Sequence, residues 1–154
     1  MRTLSQKTKY ALRALQLLAR EQARGPILIS ELAEKDGIPR KFLELILLEL
    51  KNQGLLQSKK GKGGGYFLRK APDKIPLGQI VRIFDGPLAP LPCVSESAFM
   101  KCDECADEAT CGLRSVMKEV RDATAKVLDN TTLADLVKRA DRLKDKKAGL
   151  MYYI

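Results

Sequence analysis

The sequence predicts a mainly α-helical fold with one two-stranded β element and a long C-terminal helix. Three observations predict it. Apolar residues recur at helical spacing in the first half: Tyr10, Ala11, Ala14, Leu15 and Leu18, then Phe42, Leu43, Ile46, Leu47 and Leu50. A glycine- and lysine-rich connection, Lys59-Lys60-Gly61-Lys62-Gly63-Gly64-Gly65, joins two short strand-like segments. A heptad-like run, Leu113, Met117, Val120, Thr124 and Val127, follows a stretch in which periodicity is lost.

The first helix spans residues 6–20 and is broken by Gly25-Pro26. A short second helix follows, with Ser30 as its expected N-cap; the apolar residues 27–29 before it could form a small strand. Asp36-Gly37 makes a tight turn. Pro39 then opens a third helix to about Asn52, since proline suits a first helical turn, and Gly54 supplies the C-terminal cap. Residues 55–58 and 66–68 read as strands, and residues 77–84 as a helix packed beneath them. Helix, helix–turn–helix and basic hairpin, in that order, make a winged helix-turn-helix with a two-stranded β wing, followed by a long C-terminal dimerisation helix.

Between residues 86 and 110 the pattern changes, with Pro87, Pro90 and Pro92 and five acidic residues to one lysine. The expected long helix covers residues 111–128, and its seam suits pairing with the same helix of a second copy, or packing on its own domain. A short helix, residues 133–140, and a charged, loose tail complete the chain. The expected organisation is therefore a DNA-binding domain (1–84), a cysteine-containing sensor loop (85–110), a dimerisation helix with a C-terminal helix (111–140) and a tail (141–154).

Charge is distributed unevenly. The chain carries +9 overall, but residues 1–82 hold 17 Lys/Arg against 7 Asp/Glu, net +10, and residues 83–154 hold 11 against 12, net −1. Such asymmetry suggests a polyanion-binding module joined to something else. No window approaches 18 uncharged apolar residues, so no membrane span is expected. Residues 1–10 have no apolar core ahead of a cleavage site, so no secretory leader is expected and the cytoplasm is the default compartment.

A recognition helix fits the major groove and presents its first turns to base edges. The early exposed positions here are Arg40, Lys41 and Glu44: the cations can donate to phosphate or guanine, and Glu44 can accept from a cytosine amino group. Lys59, Lys60 and Lys62 make the hairpin tip cationic, and its glycines, Gly61 among them, permit a sharp turn close to a surface. The loop lacks the spacing and following helix of a P-loop. No catalytic triad, paired-carboxylate site or nucleotide fingerprint stands out, so an enzyme is not expected.

Four cysteines, Cys93, Cys102, Cys105 and Cys111, lie within one loop and its exit. Clustered thiols in a cytosolic protein favour metal or redox chemistry over structural disulfides. Thiolates are soft ligands for iron–sulfur clusters or zinc. A reversible thiol switch through Cys102-Asp103-Glu104-Cys105 is the other reading. With no histidine in the chain, a metal site needs all-cysteine ligation, a carboxylate or an external ligand.

Several segments together resemble the Rrf-type winged-helix transcription regulators: Met1-Arg2, residues 8–14, residues 38–50, and Gly61-Lys62-Gly63-Gly64-Gly65-Tyr66 with Leu68. This is the family of the iron–sulfur regulator IscR, the nitric-oxide sensor NsrR and the cysteine-metabolism regulator CymR, and the resemblance covers about residues 1–140. It implies a homodimer whose long helices pair, on a pseudo-palindromic double-stranded DNA operator with half-sites ~34 Å apart. It places Glu44 where bases are read and Lys60-Gly61-Lys62 where the wing enters the minor groove. Arg2 joins the candidate DNA contacts. It also matches Cys93, Cys105 and Cys111 to three ligands of a [2Fe–2S] or [4Fe–4S] cluster. Two departures follow: Arg114 stands where IscR-like members have a histidine ligand, and Lys9 where the nitric-oxide sensors have an acidic one. Cys102 is extra and could complete an all-cysteine site. A CymR-like, cluster-free regulator, controlled by thiol oxidation or by docking a metabolic enzyme, is the alternative.

Overall fold

The computed structural model describes residues 3–151. Helix α1 spans Gln6–Arg20; the side-chain oxygen of Ser5 caps it by accepting the Thr8 amide at 3.1 Å. Its buried face is Thr8, Ala11, Ala14, Leu15 and Leu18. The chain then passes a single 3-10 turn to Ile27, whose backbone exchanges two hydrogen bonds with Tyr66, at 2.9 and 2.8 Å.

That exchange fixes where the next helix begins. Helix α2 covers Ile29–Asp36, and Leu28, extended and without a side-chain cap bond, takes the N-cap position. Ser30 therefore lies inside the first turn and does not cap the helix, because the tether on Ile27 sets the register two residues earlier. The small strand expected over residues 27–29 is reduced to the one-residue bridge.

Helix α3 spans Arg40–Asn52, with Pro39 as the N-cap rather than the first helical residue. Leu43, Ile46, Leu47 and Leu50 are buried as expected. Phe42 is not: it is 42% exposed and packs edge-to-face on Tyr10 of α1, with ring centroids 5.7 Å apart. Strands β1 (Leu56–Lys59) and β2 (Gly65–Leu68) pair antiparallel, from Leu56 opposite Leu68 to Lys59 opposite Gly65. β1 is displaced by one residue toward the tip from its expected range, and β2 begins one residue nearer the tip than expected.

Helix α4 (Leu77–Asp85) closes the unit from below. The core draws on every element so far and on the start of the last helix, since Leu133 is fully buried. The Leu77 amide donates to the Thr131 carbonyl at 2.9 Å and the Leu133 amide to the Ile75 carbonyl at 3.0 Å.

Helix α5 (Gly112–Asp129) has no buried residue. Helix α6 runs from Leu133 to Met151, 19 residues, so the expected short helix and the described part of the expected loose tail, residues 141–151, are one continuous helix; the last three residues of that tail lie outside the described residues. A reciprocal cap starts it: the Thr132 amide donates to Asp135 Oδ2 at 3.0 Å, and the Asp135 amide to Thr132 Oγ1 at 3.2 Å. Arg20 of α1 holds Asp141 at 2.8 Å, and no proline or glycine interrupts the chain before Gly149. No helix among the described residues is long and apolar enough to cross a membrane.

Candidate nucleic-acid interface and cysteine site

The core stripe of α3 turns its opposite face to solvent. Arg40, Lys41 and Glu44 are all exposed, and Arg40 Nε lies 3.3 Å from Glu44 Oε1. In the free molecule the carboxylate thus already has a partner, one helical turn away on the same face. At the other end of the helix, Lys51 Nζ donates to Ser58 Oγ at 2.8 Å and ties α3 to the wing.

Lys59, Lys60, Gly61 and Lys62 are exposed at and around the wing tip. The glycines serve the protein's own backbone. Gly65 has φ +141, and a Cβ there would collide with the carbonyl of Ile27. It admits the close approach through which Tyr66 bonds Ile27, so the base of the wing is fastened to the segment before α2. Arg2 lies outside the described residues.

The cysteines occupy graded environments. Cys93 is buried in a 3-10 turn, Pro92–Val94; Cys105 and Cys111 are half-buried; Cys102 is exposed. All four thiols are free, and all four line one apolar cavity of about 50 Å³, together with Leu91, Leu113, Glu108 and Arg114. Cys111 is the N-cap of α5, and its Sγ accepts the Arg114 amide at 3.4 Å. That amide, and then the neighbouring Cys105 thiol, hold Cys111 below the usual thiol range. Burial first, and then Cys111, push Cys105 above it.

Two arginines of α5 fasten the loop. Arg114 Nε donates to the Cys93 carbonyl at 3.2 Å, and an Arg121 guanidinium nitrogen to the Val94 carbonyl at 2.6 Å. The residue that stands where a histidine ligand is absent is thus a structural clamp. Sequence reasoning missed Arg121, whose partner is a backbone carbonyl 27 residues away. It also did not single out the exposure of Leu45 and Leu48 on the outer face of α3, although both fall outside the apolar stripe read from helical spacing.

Among the described residues no three Cys, Asp or Glu groups converge closely enough to hold a single metal ion. Four thiols around one apolar cavity, walled by Leu91 and Leu113, still make a soft donor set. In donor chemistry, four thiolates are the ligand type of iron–sulfur clusters.

The far end of α5 returns to the head. Asp129 pairs with Arg82 of α4 at 2.6 and 2.9 Å, and a Cβ on Gly78 of α4 would collide with the Asp129 carboxylate. α5 therefore touches the cysteine loop at its start and α4 of the N-terminal helical unit at its end.

Comparisons with known proteins agree with this architecture. The family model described as Rrf2, iron-dependent transcriptional regulator, matches residues 4–139. An rrf2-like HTH-type transcriptional regulator of Rhodobacter capsulatus is 45% identical over 137 residues, 87% of this chain and 91% of that protein. The HTH-type regulator CymR of Bacillus subtilis is 31% identical over 151 residues, 98% and 99% of the two chains. The solved structure of that CymR, described as the global cysteine regulator, superposes with a TM-score of 0.76 at 32% identity, covering 90% of this chain and 98% of the other. The structure of T. potens IscR superposes with a TM-score of 0.72 at 31% identity, covering 90% and 88%. The chain belongs to the Rrf2 family: it is a winged-helix, DNA-binding transcriptional regulator and not an enzyme.

Proposed function

We propose that the chain binds a pseudo-palindromic operator as a homodimer paired along α5, and that its cysteine loop reports iron–sulfur status to the two DNA-binding heads. The observation that carries this reading is α5 itself. None of its 18 residues is fully buried, and Leu113, Val116, Val120 and Val127 leave 61, 54, 40 and 60% of their surface exposed. An apolar seam of that length is stable when a partner covers it, and a second copy supplies the matching seam by symmetry.

In this reading Arg40, Lys41 and Glu44 face the major groove, while Lys59, Lys60 and Lys62 engage phosphates or the minor groove beside it. Cys93, Cys102, Cys105 and Cys111 hold the cluster. A bound cluster supplies iron centres whose presence and oxidation state follow the cell's iron, sulfide and oxidants. The protein's part is mechanical: Arg114 and Arg121 tie the loop to α5, and the Asp129–Arg82 pair ties α5 to α4. A change in the loop then shifts the start of the pairing helix and with it the spacing of the heads.

A second reading, without a cluster, has its own observation. Cys105 and Cys111 are neighbours with thiols displaced in opposite directions, the arrangement of an attacking and a resolving sulfur. Each would lose a proton and the pair two electrons to a peroxide-class oxidant, forming one disulfide.

Anaerobic purification with a visible spectrum and iron and sulfide analysis separates the two. Brown protein with matched iron and sulfide supports the cluster. Colourless protein whose DNA affinity changes on oxidation supports the thiol pair. Light scattering must give twice the chain mass, and gel shifts on its own upstream DNA must weaken steeply with salt. A monomer, or a salt-insensitive complex, overturns the shared part.

A further inference from the structure

The outer face of α3 is apolar at its centre. Leu43, Ile46, Leu47 and Leu50 point into the core. Diametrically opposite, at i, i+4, i+7 and i+11, run Lys41, Leu45, Leu48 and Asn52, all exposed. Leu45 is 62% and Leu48 52% exposed, so neither contributes appreciably to the head's packing. Each leaves apolar surface in water where a polar residue would form the same helix at no cost.

The surroundings select the occupant. The leucine pair lies between cations along the helix, with Arg40 and Lys41 at one end and Lys51 at the other, and the lysine wing is joined to the same helix through Ser58. The carboxylates on its flanks, Glu44 and Glu49, are partnered by Arg40 and Gln53. Cations at both ends of an apolar centre suit a polyanion that carries apolar groups. In duplex DNA one base offers such a group to the major groove, thymine through its C5-methyl.

We propose that Leu45 and Leu48 read thymine methyl groups in each half-site, setting operator preference beside the polar contacts of Arg40, Lys41 and Glu44. This rests on the reading of α3 as the recognition helix. Each leucine buries one methyl and is itself buried by it. Replacing thymine by deoxyuridine removes that methyl alone and leaves every hydrogen bond of the base pair intact.

The test uses the full-length chain and a duplex it selects from a random-sequence library. Deoxyuridine is placed at each thymine in turn. The expected result is one or two positions per half-site where the exchange weakens binding about fourfold, the worth of one buried methyl. At those positions Leu45→Ala or Leu48→Ala should abolish the sensitivity, a coupling that mere loss of folding does not produce. Leu45→Gln should reselect the library toward adenine at one position. The proposal is overturned if no position responds to deoxyuridine, or if the response persists in both alanine variants. It is equally overturned if the alanine variants change the chain's mass in solution rather than its base preference, since the pair would then be a protein contact. If no duplex is selected at all, the recognition-helix reading fails with it; a selected duplex without methyl sensitivity overturns the leucine assignment alone.

Discussion

Helix α3 buries Leu43, Ile46, Leu47 and Leu50 within 13 residues, whereas α5 extends for 18 and buries none. Both have apolar residues at helical spacing. The difference lies in what each can reach. α3 is enclosed by α1, α2 and β1 of its own chain, while α5 packs mainly on α4 and on the Pro92–Val94 turn of the cysteine loop. Most of the single chain's buried apolar surface therefore resides in the head, and α5 leaves much of its own in solvent.

Five variants and one titration test that contrast. Leu47→Ala should cost the head about 2–5 kcal/mol in chemical denaturation, the usual cost of a fully buried leucine. Val120→Ala should cost the head much less, and equal losses would erase the distinction. Gly65→Ala should cost about 1–3 kcal/mol, because a side chain collides with Ile27 at a φ that suits glycine. DNA affinity should fall further than stability does, since the wing loses its fastening. Val120→Asp combined with Val127→Asp should leave the head's unfolding curve within about 1 kcal/mol while light scattering reports the mass of one chain. Lys60→Glu should leave both stability and mass unchanged and lower the salt slope of DNA binding by about 1.

The smallest effect is a titration. Arg24, and after it Lys35, hold the Glu31 carboxyl at a pKa of about 2, below its ordinary value. A depressed carboxylate stabilises the folded state above its unfolded pKa, and that contribution is lost as pH falls toward 2. Glu31→Gln should therefore lower stability slightly at neutral pH and converge with the parent as pH falls toward 2, flattening the acid limb; the effect is small because the pair is largely exposed.

Much of this was legible in the sequence where a local rule governs the outcome. Period and punctuation placed α1 to the residue and α3 to within one. The reading failed where a distant partner decides. Ser30 has the chemistry of an N-cap, yet a bond between Ile27 and Tyr66, 39 positions apart, starts the helix before it. Phe42 fits a core stripe, but Tyr10 gives it an edge-on seat at the surface. The continuation of α6 is accompanied by the Arg20–Asp141 ion pair, a contact that no window of local sequence contains. At the cysteine site the ligand types were visible and their single cavity was not. The clamps that hold it run from arginine side chains to backbone carbonyls, and a carbonyl looks alike at every position.

The clamps also make the four sulfurs chemically unequal. Cys93 sits under a loop end that Arg114 and Arg121 hold in place, at 7% exposure, whereas Cys102 lies open at the far end. An alkylating reagent added to the protein should label Cys102 first and Cys93 last. The order of labelling, followed by mass spectrometry, becomes a ruler for how far the loop has loosened from its helix.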